Sequence, residues 1–382
     1  MAIYNWYIRL EFLLCALMVL GTVFAKLSFA SFCFSVTFIV LFATWFYGMC
    51  HTKKVQLLLL LFIVLISAHV AINASFTSIS LVSFTKYIQK VIIAVSTILS
   101  FYVVTVFVPY KRTRTLIAWL PVGIGSFLIV SYYFLGNTST YAQGLTLNFT
   151  NPNFTAMWLL HLLLYGVYNF FSVRPTHLRL FCLGYCILIT QLLFLTLSRA
   201  CIGALAAFIL LLMWGFLKQS YRLPPQVLLG LLLFPLIFLF IYMNFTHYLM
   251  YTTTFDMVVL EGKSITSRVD VWHYALECFK NSWLIGDYAA ISHGAGMSQM
   301  GNIYLDILAS YGIVPLVIFI RLLWKILTYA NDNLTNFPSY VAFISFLTIL
   351  LSGTFEAGLV AGCMGLNFLT SGFLVLIHKE TI

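Results

Sequence analysis

Apolar runs of about twenty residues, set nearly end to end along the chain, limit its fold more than any other feature. A helix needs about 20 apolar residues to cross the hydrocarbon core of a bilayer. Such runs fall at approximately 8–25, 29–48, 55–73, 88–109, 115–135, 154–172, 178–196, 199–217, 227–244, 302–329, 337–352 and 355–378. They predict an all-α polytopic membrane protein with about twelve transmembrane helices. Only 8% of the 382 residues are charged and 62% are hydrophobic, against roughly a quarter charged in a soluble domain. Water is therefore not the main solvent for the fold.

The net charge of +10 does not indicate nucleic acid, because the basic residues are spread over short connections and form no patch or stripe. They report topology. With the amino terminus inside, the inner connections hold 13 of the 20 Lys and Arg residues, including Lys53, Lys54, Lys111, Arg112 and Arg114. The outer side keeps Lys26, Lys86, Lys90, Arg199, Lys263, Arg268 and Lys280. The positive-inside rule then puts both termini in the cytoplasm. The first apolar run lacks a small-residue cleavage site and reads as a retained span. Eight cysteines, mostly within apolar runs and without CxxC pairing, indicate neither a disulfide framework nor a zinc site. No internal repeat of the kind common in secondary transporters is evident.

One sizeable polar segment, 245–301, divides a membrane domain of about nine spans (1–244) from one of about three (302–382). It holds Asp256, Glu261, Asp270, Glu277 and Asp287, five of the ten acidic residues, and by the charge rule it faces outward. Val269, Trp272, Ala275, Leu276 and Phe279 recur at helical spacing, which predicts an amphipathic helix lying on or near the membrane. Gly286, Gly294, Gly296 and Gly301 mark a turning stretch before the next span.

Several polar residues can carry chemistry on the outer side. Arg199 stands where two apolar runs meet, and is either a functional cation or a snorkelling residue marking a helix end. Arg268 heads the amphipathic stretch beside Asp270 and Glu261, and can be a surface ion pair or a phosphate ligand. His293, in SHGAGMSQMGN, is a candidate general base or a solvated loop histidine. Asn151 and Asn153, close to Asn148, can hydrogen-bond sugar hydroxyls or cap the helix that follows. His69 and His161, within spans, read as interhelical hydrogen-bonders.

Three pieces follow one another in the second half: LSRACIGAL at Leu197 to Leu205, SRVDVWHYALECFKNSWLIGD at Ser267 to Asp287, and GNIYLDILASYGIVP at Gly301 to Pro315. In their order and their placement around one long outer loop they resemble the polysaccharide polymerase and ligase superfamily, the Wzy-type polymerases and WaaL-type O-antigen ligases. The resemblance implies a membrane glycosyltransferase of GT-C-like fold in the bacterial cytoplasmic membrane. It implies metal-independent transfer, without a cofactor, of sugars carried on undecaprenyl pyrophosphate. Arg199 and Arg268 would hold the pyrophosphate, with His293 as base and Asn302, Tyr304, Asp287, Asn151 and Asn153 contacting substrate. Lipid-linked donor and acceptor glycans would be its partners, together with chain-length regulator and flippase proteins. Ligases similar to this chain carry a histidine directly before the Asn of the third piece, where Gly301 stands here. That departure favours a polymerase over a ligase, and leaves His293, Asp287 or Glu261 as bases. A flippase or exporter of lipid-linked sugar is the expectation from a different class.

Overall fold

The computed structural model describes residues 111–136, 138–141, 144–147, 149, 151–218, 221–252, 269–284, 286–287, 301–354 and 364–377, with isolated positions at 61, 63–65, 68, 91, 95 and 98. The four predicted spans before residue 110 lie outside this set apart from those positions. The described residues form helices α1 (Lys111–Tyr133), α2 (Pro152–Ser172), α3 (Thr176–Leu195), α4 (Arg199–Lys218), α5 (Pro225–Thr252), α6 (Val269–Asn281), α7 (Ile303–Tyr311), α8 (Ile313–Asp332), α9 (Phe337–Ser352) and α10 (Met364–Ile377). A two-residue antiparallel hairpin, β1 (Thr140–Tyr141) and β2 (Gly144–Leu145), precedes α2.

Among the described residues six helices, α1 to α5 and α8, are long and apolar enough to cross a membrane. Their composition explains the packing. On α3, α4 and α5, Phe181, Ile187, Leu210, Leu217, Phe240 and Ile241 are exposed, as suits faces turned to lipid. By contrast α9, only 16 residues long, is buried from Ser339 to Ser352 and lies against α2, α4, α5 and α10. It is the axis of the bundle. Polar side chains join α2 to α10: His161 Nε2 meets Thr370 Oγ1 at 2.8 Å and Tyr165 Oη donates to Leu369 O at 2.7 Å. His161 is thus the interhelical hydrogen-bonder its sequence setting predicts, with Nδ1 2.7 Å from Met157 O. A carbonyl only accepts, so Nδ1 carries the proton. His69 lies outside the described residues.

One end of the bundle collects the basic connections. Arg114 Nη2 donates to Leu376 O (2.9 Å), tying the start of α1 to the end of α10. Arg222 Nη2 donates to Asp332 O (3.0 Å), and Asn331 exchanges two hydrogen bonds with the Leu223 backbone (2.9 and 3.0 Å), tying the start of α5 to the end of α8.

The structure corrects the sequence reading in two places within the described residues. The predicted span 302–329 is two helices, because Gly312 adopts φ 87° and ψ −177° between α7 and α8, a conformation that favours glycine. The chain folds back there: Tyr304 on α7 packs edge to face on Phe319 of α8, ring centroids 6.2 Å apart. The predicted amphipathic helix is present as α6, and its apolar side packs on protein. Trp272, Ala275 and Cys278 are buried in a small second core with Leu239 and Met243 of α5 and Leu305 and Ala309 of α7. The second correction is at α5, which runs on to Thr252, eight residues past the predicted end of the span.

Candidate functional site at the re-entrant helix

The start of α7 is set by Asn302, fully buried and extended at φ −141°. Its Oδ1 accepts from Tyr304 N (3.0 Å) and Leu305 N (3.1 Å), as an N-cap does. Its Nδ2 donates to Pro235 O and Thr354 O, both at 3.1 Å. Oxygen therefore faces two donors and nitrogen two acceptors. Every hydrogen-bonding capacity of the amide is used to join α5, α7 and the end of α9. Ile303 N adds a bond to Gly353 O at 2.9 Å. Pro235 lies inside α5, where it removes a backbone donor from the helix ladder. The buried Tyr304 donates through Oη to Leu232 O at 2.6 Å on the same stretch. Helix α7 is thereby seated on the stretch of α5 from Leu232 to Pro235.

The other end of α7 is fastened by the loop after α6. Asp287 N donates to Ala309 O (2.9 Å) and Ile313 N to Trp283 O (3.0 Å), so the loop serves both α7 and the first turn of α8. Gly286 makes this approach possible. Its φ is +68°, and a Cβ there would lie 2.5 Å from Tyr311 N. Asp287 is half-buried at this end. Burial pushes the thiol of Cys278, inside the second core, above its ordinary range.

Arg199 is the first residue of α4 and is exposed. The two residues before it are unusual: Leu197 takes φ +56°, and Ser198 is buried with no hydrogen-bond partner for its hydroxyl. Strain of this kind gathers at functional sites. The hairpin covers the α3–α4 turn, with Gly144 so close that a Cβ would lie 2.6 Å from Thr196 O and 2.7 Å from Pro152. This contact brings the start of α2 to the same place. Asn151 there is an exposed N-cap accepting from Phe154 N at 2.8 Å, and Asn153 is half-buried in the first turn.

The antiparallel contact between α4 and α9 sets the level of Arg199. Gly215 faces the ring of Tyr340, whose Oη donates to Leu211 O at 2.5 Å. Counting back from Gly215 to Arg199 climbs roughly 24 Å, and forward from Tyr340 to Thr354 roughly 21 Å. Arg199 thus stands at about the height of Thr354, the residue Asn302 holds. By this count the start of α4 and the end of α9 share a level, Asn302 joins the end of α9 to the start of α7, and Asp287 meets the far part of α7. Arg268 and His293 lie outside the described residues.

Sequence reasoning passed over Asp306, which is fully buried one turn along α7 from Asn302. The signal was there, since an acid inside an apolar run is a functional hypothesis by default. Among the described residues no group of His, Cys, Asp and Glu is arranged to hold a metal ion.

Residues 184–320, from within α3 into α8, match the Wzy_C family, described as O-antigen ligase. The match covers about a third of the chain and makes this segment similar to that family. The matched stretch contains all of α4 to α7, and so Arg199, Asn302 and Asp306 together. The matching family is one of glycosyltransferase-like membrane enzymes. No curated protein matches the chain.

Proposed function

We propose that the chain is a polysaccharide polymerase. It joins lipid-linked oligosaccharide repeat units into O-antigen, capsule or exopolysaccharide by transferring the growing chain from its undecaprenyl pyrophosphate to the next lipid-linked unit. The observation that carries this reading is the common level of the Arg199 helix start and the Asn302-capped α7, inside a stretch that matches the O-antigen ligase family. The departing pyrophosphate develops negative charge in a poorly hydrated place, where a fixed guanidinium stabilises it without solvent reorganisation. Arg199 and Arg268 are the donors in this reading, with Asp287, Asn151 and Asn153 toward the sugars. Asn302 and Tyr304 act by holding α7, as their internal hydrogen bonds suggest. The basic end of the bundle faces the cytoplasm and the site faces outward, with no metal required.

Purified protein supplied with lipid-linked repeat units in detergent, with no gradient, should elongate them; failure to elongate would remove the polymerase reading, and elongation excludes a pure flippase. A second reading, a ligase moving finished polymer to a terminal acceptor, is favoured by the description of the matching family. Gly301, where similar ligases carry histidine, favours the polymerase. Deleting the gene separates the two. A polymerase mutant displays single repeat units, and a ligase mutant accumulates polymer on the lipid carrier.

A further inference from the structure

Helix α6 turns its two sides to different surroundings. Trp272, Ala275 and Cys278 are buried in the small core, while His273, Glu277 and Lys280 on the opposite side are exposed. The turn that follows breaks this pattern, because Trp283 and Leu284 are 58% and 49% exposed. Their backbone is pinned: Gly286 N donates to Ser282 O (2.7 Å) and Ile313 N to Trp283 O (3.0 Å). Two large apolar side chains are thus carried outward beside the first turn of α8. In water both would forfeit the free energy of apolar burial.

The level of this turn in the bundle decides what surrounds it. Asp332, the last residue of α8, lies at the basic end, where its carbonyl accepts from Arg222. Ile313, the first residue of the same helix, stands roughly 28 Å away along its axis. The hydrocarbon core of a bilayer is about 30 Å thick. Trp283, bonded to Ile313, is therefore at the far boundary of the hydrocarbon, the level where Trp and Tyr rings gather. Helix α1, which also starts at the basic end, finishes on the exposed Tyr133 at a similar height. The part of α8 next to the turn is apolar too: Val314 and Val317 are exposed and Ile320 is half-buried. Arg321, the first charge on that side, is roughly 12 Å from Ile313. That depth is close to one leaflet of hydrocarbon, so the turn joins α8 where the helix shows lipid an apolar side.

We propose that Trp283 and Leu284 anchor α6 and its turn in the bilayer itself, at the boundary of head groups and acyl chains on the side away from the basic connections. The partner is a lipid surface, which suits an indole with one apolar body and one polar N–H. His273, Glu277 and Lys280 stay in water above it. The small core holds α6 to α5 and α7, and the anchor holds it to lipid. The inference needs only the membrane-spanning reading and is independent of the transfer chemistry proposed above.

Spin labels on single cysteines test this in the full-length protein, its eight native cysteines replaced, in vesicles of phosphatidylethanolamine and phosphatidylglycerol. The labelled variants are Leu284→Cys, Val317→Cys on α8 and Lys280→Cys on α6. Collisions with oxygen, which concentrates among acyl chains, and with a water-soluble nickel chelate give the depth of each label. Val317 is expected deepest, Leu284 intermediate and Lys280 in water. The chelate should reach Leu284 about ten-fold less often than Lys280, because a polar complex loses hydration in an apolar layer. Trp283→Cys takes the place of Leu284→Cys if that protein does not elute like wild type. A label at Leu284 as open to the chelate as the one at Lys280 would leave the turn in water and overturn the proposal. Shielding from both reagents would mean that protein covers the turn, and a water-exposed label at Val317 would remove the lipid side of α8; either result overturns it as well.

Discussion

Tyr304 and Phe319 are 15 positions apart in one apolar run, yet their rings meet with centroids 6.2 Å apart. A continuous helix would separate them by roughly 22 Å. The contact makes α7 a half-helix folded back on α8. It also explains why the helix start at Asn302 is found against Pro235, in the middle of α5, and not at an outer surface. The functional reading depends on this geometry, because it carries an N-cap, a buried acid and the end of the α6 loop on one short element.

Asn302 should be a stability determinant as well as a position holder. Asn302→Ala loses the cap, worth about 1 kcal/mol. It also leaves the Pro235 and Thr354 carbonyls unmet, at about 1–3 kcal/mol for each buried group. Asn302→Asp keeps the acceptor for the Tyr304 and Leu305 amides but presents oxygen to both carbonyls, so it should rescue little. Thermal unfolding in detergent checks this, and wild-type melting of the Asp variant would contradict it.

Gly286 should control how tightly α6 is held. An alanine at φ +68° costs about 1–2 kcal/mol from the backbone alone, and its Cβ would meet Tyr311 N at 2.5 Å. Gly286→Ala is expected to open the small core, exposing Cys278. Maleimide labelling of Cys278, in a protein whose other cysteines are replaced, should quicken by about ten-fold or more. An unchanged rate would mean that the loop is seated by other contacts.

The arginine at the head of α4 is exposed, so replacing it should leave folding intact while removing activity. Arg199→Ala is expected to lower elongation by about 10²- to 10³-fold, as for loss of one donor to a developing anion. Arg199→Lys should recover only part, since a point charge does not reproduce a planar fork. Arg268→Ala should behave like Arg199→Ala. Full activity of either alanine variant removes that residue from the site.

Orientation is open to direct measurement. Lys218, at the end of α4, and Asn281, at the end of α6, are both exposed. In intact cells a membrane-impermeant thiol reagent should label Asn281→Cys and should reach Lys218→Cys only after permeabilisation. The reverse pattern would turn the protein over and place the site in the cytoplasm.

By itself, the sequence was enough to determine the solvent, the helical class and the ends of most helices within the described residues. The helix ending at Ser172 and the helix starting at Arg199 were legible because an apolar run long enough to cross lipid has one way to satisfy its backbone. The reading of Asn151 as a cap was legible too, since capping is local chemistry. Hydropathy counts residues and is blind to direction, so Gly312 did not stand out inside an apolar run as the point where the chain reverses. Only the tertiary structure decided that α6 is buried against α5 and α7, that Asn302 spends its amide on three elements, and that Asp306 is fully buried. Each of these depends on contacts between residues distant in sequence, and no local pattern of apolar and polar residues encodes which distant carbonyl or side chain will be the partner.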